Sequence, residues 1–332
     1  MTSSSSPLLI DLLGGTIGTL TPPKDAPRDY GRKLTTAGVH AFTVTMGLYA
    51  RDIRPILREF YDFDCVFEQV PDRVLQVRTA DDILLARDTG RVGVIQGVQG
   101  LHFIEEETAF IPVLAKLGLR VAALTYNETT QFGAGCLEPR DDGLTLLGIR
   151  AVQELNRSKV LVDVSHAGCR TSLDIIANSS QPVVATHSNA DAVTRSGRNL
   201  TDEQIRAIAT SGGVIGISPY SPFIHKDGKA RPDLEDVVDH MAYVARLVGA
   251  EHVAIGTDFF PHTKVKWENT TRRMYPGMVG PYLFEDLYAE GLADHPDMPA
   301  LAPALARRGF SPAEVEGILG LNALRVLRAV WG

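Results

Sequence analysis

Eight short apolar runs recur along this chain, spaced widely enough for helices to fit between most of them, and few folds accommodate that rhythm. The runs are Leu8–Leu13, Ala41–Met46, Val92–Val98, Val121–Thr125, Val160–Val164, Val183–Thr186, Val214–Ile217 and Val253–Gly256. Their hydrophobicity is nearly continuous, as in strands buried on both faces. Between them, Leu144–Asn156 and Asp236–Val248 carry apolar residues at helical spacing. Ala80-Asp-Asp-Ile places acids in a first helical turn, Thr201-Asp-Glu-Gln204 has the pattern of a capping box, and Ser311-Pro-Ala-Glu-Val opens a helix with proline at its first position. Strands alternating with helices predict an α/β chain with a parallel sheet, and eight strands close a (β/α)8 TIM barrel.

At 332 residues and 44% hydrophobic, the chain can bury one large core. We therefore expect a disordered, serine-rich leader over residues 1–7 and one barrel domain over residues 8–332. Pro261–Pro303 mixes proline, glycine and aromatics, and reads as a long loop with short helices beside the site. The net charge of −7, with no long run of either sign, argues against a nucleic-acid or anionic-membrane partner. Cys65, Cys136 and Cys169 are scattered and odd in number, which points to a reducing cytoplasm. No apolar stretch is long enough to suggest a membrane span.

Polar residues gather just after the predicted strands. Gln99 and His102 follow the third, Tyr126-Asn-Glu128 the fourth, His166 the fifth, His187 the sixth and Asp258 the eighth. In a barrel these positions converge on the C-terminal face, where catalytic groups sit. Two neutral imidazoles on adjacent strands suit a zinc ion, while a histidine hydrogen-bonded at a strand end is the plainer reading. Asp258 suits a proton acceptor or a simple cap. Arg198, before Asn199, suits a carboxylate clamp or an ordinary surface position.

Several stretches resemble the membrane (renal) dipeptidase family in collinear order. They include Thr79-Ala-Asp-Asp-Ile83, Gly143-Leu-Thr-Leu-Leu-Gly148, Asp163-Val-Ser-His166, Pro182-Val-Val-Ala-Thr-His187, Arg198-Asn199, His252-Val-Ala-Ile-Gly-Thr-Asp258 and Gly320-Leu-Asn-Ala-Leu-Arg-Val326. The resemblance spans nearly the whole chain and implies a metallo-dependent-hydrolase-like barrel. It also implies dipeptide hydrolysis at two bridged zinc ions, held by a first-strand His-x-Asp, a bridging Glu and two histidines. His166 and His187 match the two histidines, and Arg198 and Asp258 match the substrate-clamping arginine and the catalytic-site aspartate. Leu13 and Gly15 stand where His-x-Asp should be, Gln99 replaces the bridging Glu, and Tyr126 replaces a substrate-contacting histidine.

Leu13 has no donor atom, Gly15 no side chain, and Gln99 only a neutral oxygen. A bridged pair of dications needs anionic ligands, so the first metal has nothing to hold it. The expectation is a divergent dipeptidase-like amidohydrolase for a small amino-acid-like, dipeptide-like or amide substrate, with at most one zinc or other divalent ion on His166 and His187, or none. A third ligand would come from Asp258, Gln99, Glu128 or His102. Asp258 and Tyr126 are the candidate catalytic groups, and Arg198, Asn199 and Gln99 the candidate substrate-binding groups. The competing readings are a metal-independent lyase or isomerase on the same barrel, with Tyr126 and Asp258 as acid and base, and a non-catalytic binding or scaffold pseudoenzyme. A homodimer is compatible with all three.

Overall fold

The computed structural model describes residues 7–15, 26–48, 50–226, 231–259 and 264–332. Residues 1–6 of the expected leader lie outside them. The described strands are β1 (Ile10–Asp11), β2 (Ala41–Met46), β3 (Val74–Gln76), β4 (Val92–Val98), β5 (Leu119–Ala123), β6 (Leu161–Asp163), β7 (Val183–Val184), β8 (Ile215–Ile217) and β9 (Val253–Ile255). All pairings between them are parallel.

Eight of the nine build the barrel. The order β1-β2-β4-β5-β6-β7 continues through an Ala185–Ile215 bridge into β8-β9. Closure comes from the Leu12 N–H, which donates to the Ile255 carbonyl at 2.9 Å, and the Asp258 N–H, which donates to the Leu13 carbonyl at 2.7 Å. The ninth strand, β3, runs beside the start of β4 and was not foreseen, because Val-Leu-Gln is too short to show a period.

Neighbouring strand residues point to opposite faces, and both faces are apolar. Ile10, Ala41, Ile95, Val121, Leu161, Val184 and Ala254 form one cluster with Leu327, Val330 and Trp331 of the final helix. Their strand neighbours Phe42, Val94, Ala122, Val162, Val183, Val253 and Ile255 join a larger cluster with residues of the surrounding helices, such as Phe60, Leu155 and Ile205. Two aligned cores explain why the runs read as continuously hydrophobic.

The helix expectations hold where caps specified them. Thr201 and Gln204 form both halves of a capping box ahead of helix Asp202–Thr210, and Ser311 and Glu314 do the same ahead of Pro312–Glu316. The described part of the irregular stretch carries short helices, Lys264–Trp267 and Pro276–Val279, joined through a π-helical turn over Glu268–Arg272. No described helix is long and apolar enough to cross a membrane.

Candidate active site

His166 and His187 leave adjacent strands, β6 and β7, and meet with their Nε2 atoms 2.9 Å apart. Asp163, at the end of β6, organises this contact. Its carboxylate accepts the Thr186 N–H at 2.9 Å, the Thr186 hydroxyl at 2.5 Å and the Ser165 hydroxyl at 2.6 Å. With its one proton given to Asp163, the Thr186 hydroxyl can only accept from His187 Nδ1, 2.8 Å away. On the other ring, His166 Nδ1 lies 2.8 Å from the Asn127 amide oxygen, and the Arg198 guanidinium offers an N–H to His166 Nε2 at 3.4 Å. The Thr186 hydroxyl places the His187 proton on Nδ1, so His187 Nε2 presents its lone pair to His166 Nε2. Both rings are held neutral, their pKa values pulled far below the usual histidine range by burial and by the charge of Arg198.

Arg198 is 1% exposed. Its Nη1 donates to the Ser165 carbonyl and to the Ser188 hydroxyl, and its Nη2 to the His187 carbonyl at 3.1 Å. The guanidinium sits 5.0 Å from the Phe223 ring centroid. Neutral acceptors therefore hold a full positive charge in place, and Arg198 Nε has no protein partner among the described residues. An ordinary surface arginine is excluded.

Asp258 follows β9 with a φ of 57°, a left-handed conformation that aspartate tolerates better than most residues. Close approach at this point requires small neighbours: a Cβ on Gly256 would stand 1.7 Å from the Thr186 carbonyl oxygen. Burial pushes the Asp258 carboxyl up to about 8; Arg198 opposes this and the Asp11 carboxylate reinforces it. Its Oδ1 has no protein partner among the described residues. Asp258, Arg198, His166 and Tyr126 line one cavity of about 40 Å³. The Tyr126 ring stacks on His166 with centroids 4.1 Å apart. Trp267, Thr271 and Met278 complete the wall, so the irregular stretch does border the site.

Not every expected residue arrives there. Neither Asn199 nor Gln99 lines this cavity. The Asn199 amide donates to the carbonyls of Thr194 and Phe223 at 2.7 and 2.8 Å, fastening the loop that carries Arg198. Gln99 donates to the Thr45 hydroxyl at 2.6 Å. His102 and Glu128 also lie outside the cavity lining, and no group of three or more His, Cys, Asp or Glu side chains suited to a metal exists among the described residues.

The sequence reading missed the groups that hold the site together. Thr186 and Asp163 were visible only as neighbours of His187 and His166. His295, which opens the short 3-10 helix His295–Ala300, donates from Nε2 to Asp11 at 3.1 Å with both side chains buried. No local pattern links residues 284 positions apart.

A closed parallel barrel with strand-end histidines, an arginine and an aspartate at its C-terminal mouth defines an amidohydrolase-type (β/α)8 protein. Consistent with that class, an amidohydrolase from Pseudomonas aeruginosa superposes with a TM-score of 0.88 at 27% identity, covering 99% of this chain and 98% of its own. The chain belongs to the membrane dipeptidase family, peptidase family M19, whose model matches residues 34–279. An uncharacterized dipeptidase of Schizosaccharomyces pombe is 31% identical over 255 residues, 75% of this chain and 56% of the relative. The dipeptidase verJ of Clonostachys rogersoniana is 31% identical over 281 residues, 84% of this chain and 66% of the relative. The chain thus spans just over half to two thirds of the length of these curated relatives.

Proposed function

We propose that this protein is a divergent dipeptidase-like amidohydrolase acting on a small dipeptide-like or amide substrate, with at most one divalent ion held by His166 and His187. The observation that carries this reading is the shared cavity of Arg198, Asp258, Tyr126 and His166, with Arg198 Nε and Asp258 Oδ1 both buried and without a partner among the described residues. Buried polar atoms without partners are rare, and a substrate carboxylate and amide would satisfy these two.

The donor set fits one ion better than two. Two neutral imidazoles whose Nε2 atoms converge, each held by a hydrogen bond at Nδ1, are suitable ligands for zinc. The binuclear arrangement does not fit: Leu13 and Gly15 offer no donors, and Gln99 is engaged by Thr45. Arg198 Nη2, 3.4 Å from His166 Nε2, further weakens the hold on any cation. When bound, the ion would supply Lewis-acid activation of water or of the scissile carbonyl.

The residues of the chain account for the remaining work. The Arg198 guanidinium pairs with the substrate carboxylate and orients it. Asp258, neutral at pH 7, delivers its proton to the amine nitrogen as the C–N bond breaks. Tyr126 braces the His166 ring. Because 40 Å³ admits a few waters and ligand pockets usually exceed about 300 Å³, the Trp267–Met278 wall must move before a substrate binds.

The proximity of a guanidinium to His166 favours a second reading, metal-free acid–base chemistry by Asp258 and Tyr126. One assay separates the two: hydrolysis of a panel of L,L and L,D dipeptides with added Zn²⁺ or with chelator, beside calorimetric binding of the same panel. We expect binding of a subset with weak, Zn²⁺-dependent turnover. Efficient turnover across the panel would overturn the divergent-site reading, and activity unaffected by chelator would favour the second.

A further inference from the structure

At the end of the barrel opposite the candidate site, a groove of about 610 Å³ is lined by Arg78, Lys116, Arg120, Arg157 and Lys159. Arg120 is the second residue of β5 and Lys159 just precedes β6, so the groove opens at the N-terminal ends of the strands. Its one lining carboxylate, Glu154, is already paired with Arg157. Asp82, nearby, accepts the N–H groups of Arg78 and Thr79 and serves as a helix cap.

The remaining four cations have no carboxylate partner among the described residues. Arg78 donates to the Gln76 side chain at 3.0 Å and to the Lys116 carbonyl at 3.0 Å. Arg120 donates to the carbonyls of Arg78, Ala115 and Leu119 at 2.7, 2.9 and 2.8 Å. Carbonyl dipoles position these two guanidiniums without neutralising them. Burial, and after it the charge of Arg78, lower the Arg120 pKa, and the Asp82 carboxylate opposes them. Lys159 adopts φ 54°, an unfavourable conformation for a side chain with a Cβ, at the rim of the same groove. On a protein of net charge −7, four unneutralised cations in one concavity are a concentrated exception.

We propose that this groove binds a small molecule bearing a phosphate or diphosphate group. Guanidinium forks match phosphate oxygens bidentately, and lysines add mobile point charges around them. The concave shape and its short reach suit a compact anion, whereas duplex nucleic acid requires an extended basic face. This assignment is independent of the chemistry at the other mouth of the barrel.

The test is calorimetric titration of the whole protein with inorganic pyrophosphate in low-salt buffer, beside sedimentation with vesicles containing phosphatidylinositol phosphate. We expect one saturable site per chain, weakened by salt, and no vesicle association. Arg78→Gln should weaken binding by about tenfold or more, and so should the double variant Lys116→Ala/Lys159→Asn. Asparagine at 159 tolerates the left-handed backbone, and neither lysine ammonium has an ion-pair or hydrogen-bond partner among the described residues, so this second variant separates lost binding from lost folding. Absence of binding up to about 5 mM pyrophosphate, equal binding by the variants, or vesicle association without pyrophosphate binding would each overturn the proposal.

Discussion

Asp11 and Asp163 make the same clasp in two places on the barrel. Each carboxylate accepts the backbone N–H and the hydroxyl of a threonine on the adjoining strand, at 2.9 and 2.6 Å for Thr257 and at 2.9 and 2.5 Å for Thr186. The residue after each clasped threonine is a site residue, Asp258 in one case and His187 in the other. Charge-assisted bonds to the backbone are short and directional, so the clasps fix where those two side chains begin.

Asp258 should give the proposed hydrolysis an alkaline limit. Its carboxyl is raised to about 8, so the neutral form dominates at pH 7 and is lost above that value. If it acts as the proton donor, kcat/KM falls as pH rises through about 8, and Asp258→Asn removes both the limb and most of the activity. The linkage runs in the same direction. The native state holds a proton that the unfolded state has lost above the ordinary carboxyl value of 3.8, so this group's contribution to stability declines from there to about pH 8. Urea denaturation across that window should show a shallower decline for Asp258→Asn. An identical pH profile for variant and wild type would remove Asp258 from the chemistry.

Metal content should not exceed one ion per chain. Elemental analysis after zinc loading should find at most one, reduced in His166→Ala and in His187→Ala. Asp163→Asn should weaken zinc binding by roughly 10- to 100-fold while leaving the fold intact, because it releases the Thr186 hydroxyl that fixes the His187 tautomer. Two ions per chain would show that residues elsewhere supply the donors that Leu13 and Gly15 lack.

Most of the barrel was legible because parallel strands buried on both faces leave long apolar runs, and because caps such as Thr201 and Ser311 mark helix starts. Among site residues, His166, His187, Arg198 and Asp258 were legible as polar groups just past strands or beside a helix start, and the family resemblance sharpened them. The hydrogen bonds of Asn199 and Gln99 were not legible, because a buried amide ties loops as readily as it binds a ligand, and sequence does not say which acceptor lies in reach. His295 was invisible, since its partner Asp11 becomes a neighbour only when the barrel closes.

Trp267 should report on access to the cavity. It is 1% exposed and packs with Tyr220, Phe223, Val279 and Leu287. Trp267→Ala should cost about 3–5 kcal/mol in unfolding free energy, as large-to-small changes in packed clusters do. The chain has two tryptophans, so in Trp331→Phe all indole fluorescence comes from Trp267. Its emission should change on saturation with any dipeptide that binds by calorimetry. No change would mean that ligands reach Arg198 without displacing this wall.

The Asp11–His295 pair should make stability depend on pH near neutrality. Burial lowers the His295 pKa, but hydrogen bonds to Asp11 and Asp294 outweigh it and leave the value above the usual 6.5. The stabilisation is therefore complete below 6.5 and lost as pH rises through the raised value. His295→Leu should cost about 3–5 kcal/mol at pH 6, because it strands a buried carboxylate, and its penalty should shrink towards pH 9. A penalty that is constant across that range would mean the ring is neutral throughout.

The seam between β1 and β9 sets a timetable for synthesis. The clasp from Asp11 to Thr257 joins residues 246 positions apart. At about 5–20 residues per second, the partner of the first strand emerges roughly 12 to 50 s after the strand itself. Throughout that interval β1 offers an unpaired edge, the kind of surface that recruits strands from neighbouring nascent chains. Chaperone dependence and losses to aggregation should therefore track translation speed between the codons for Asp11 and Thr257, after the residues at risk have been made.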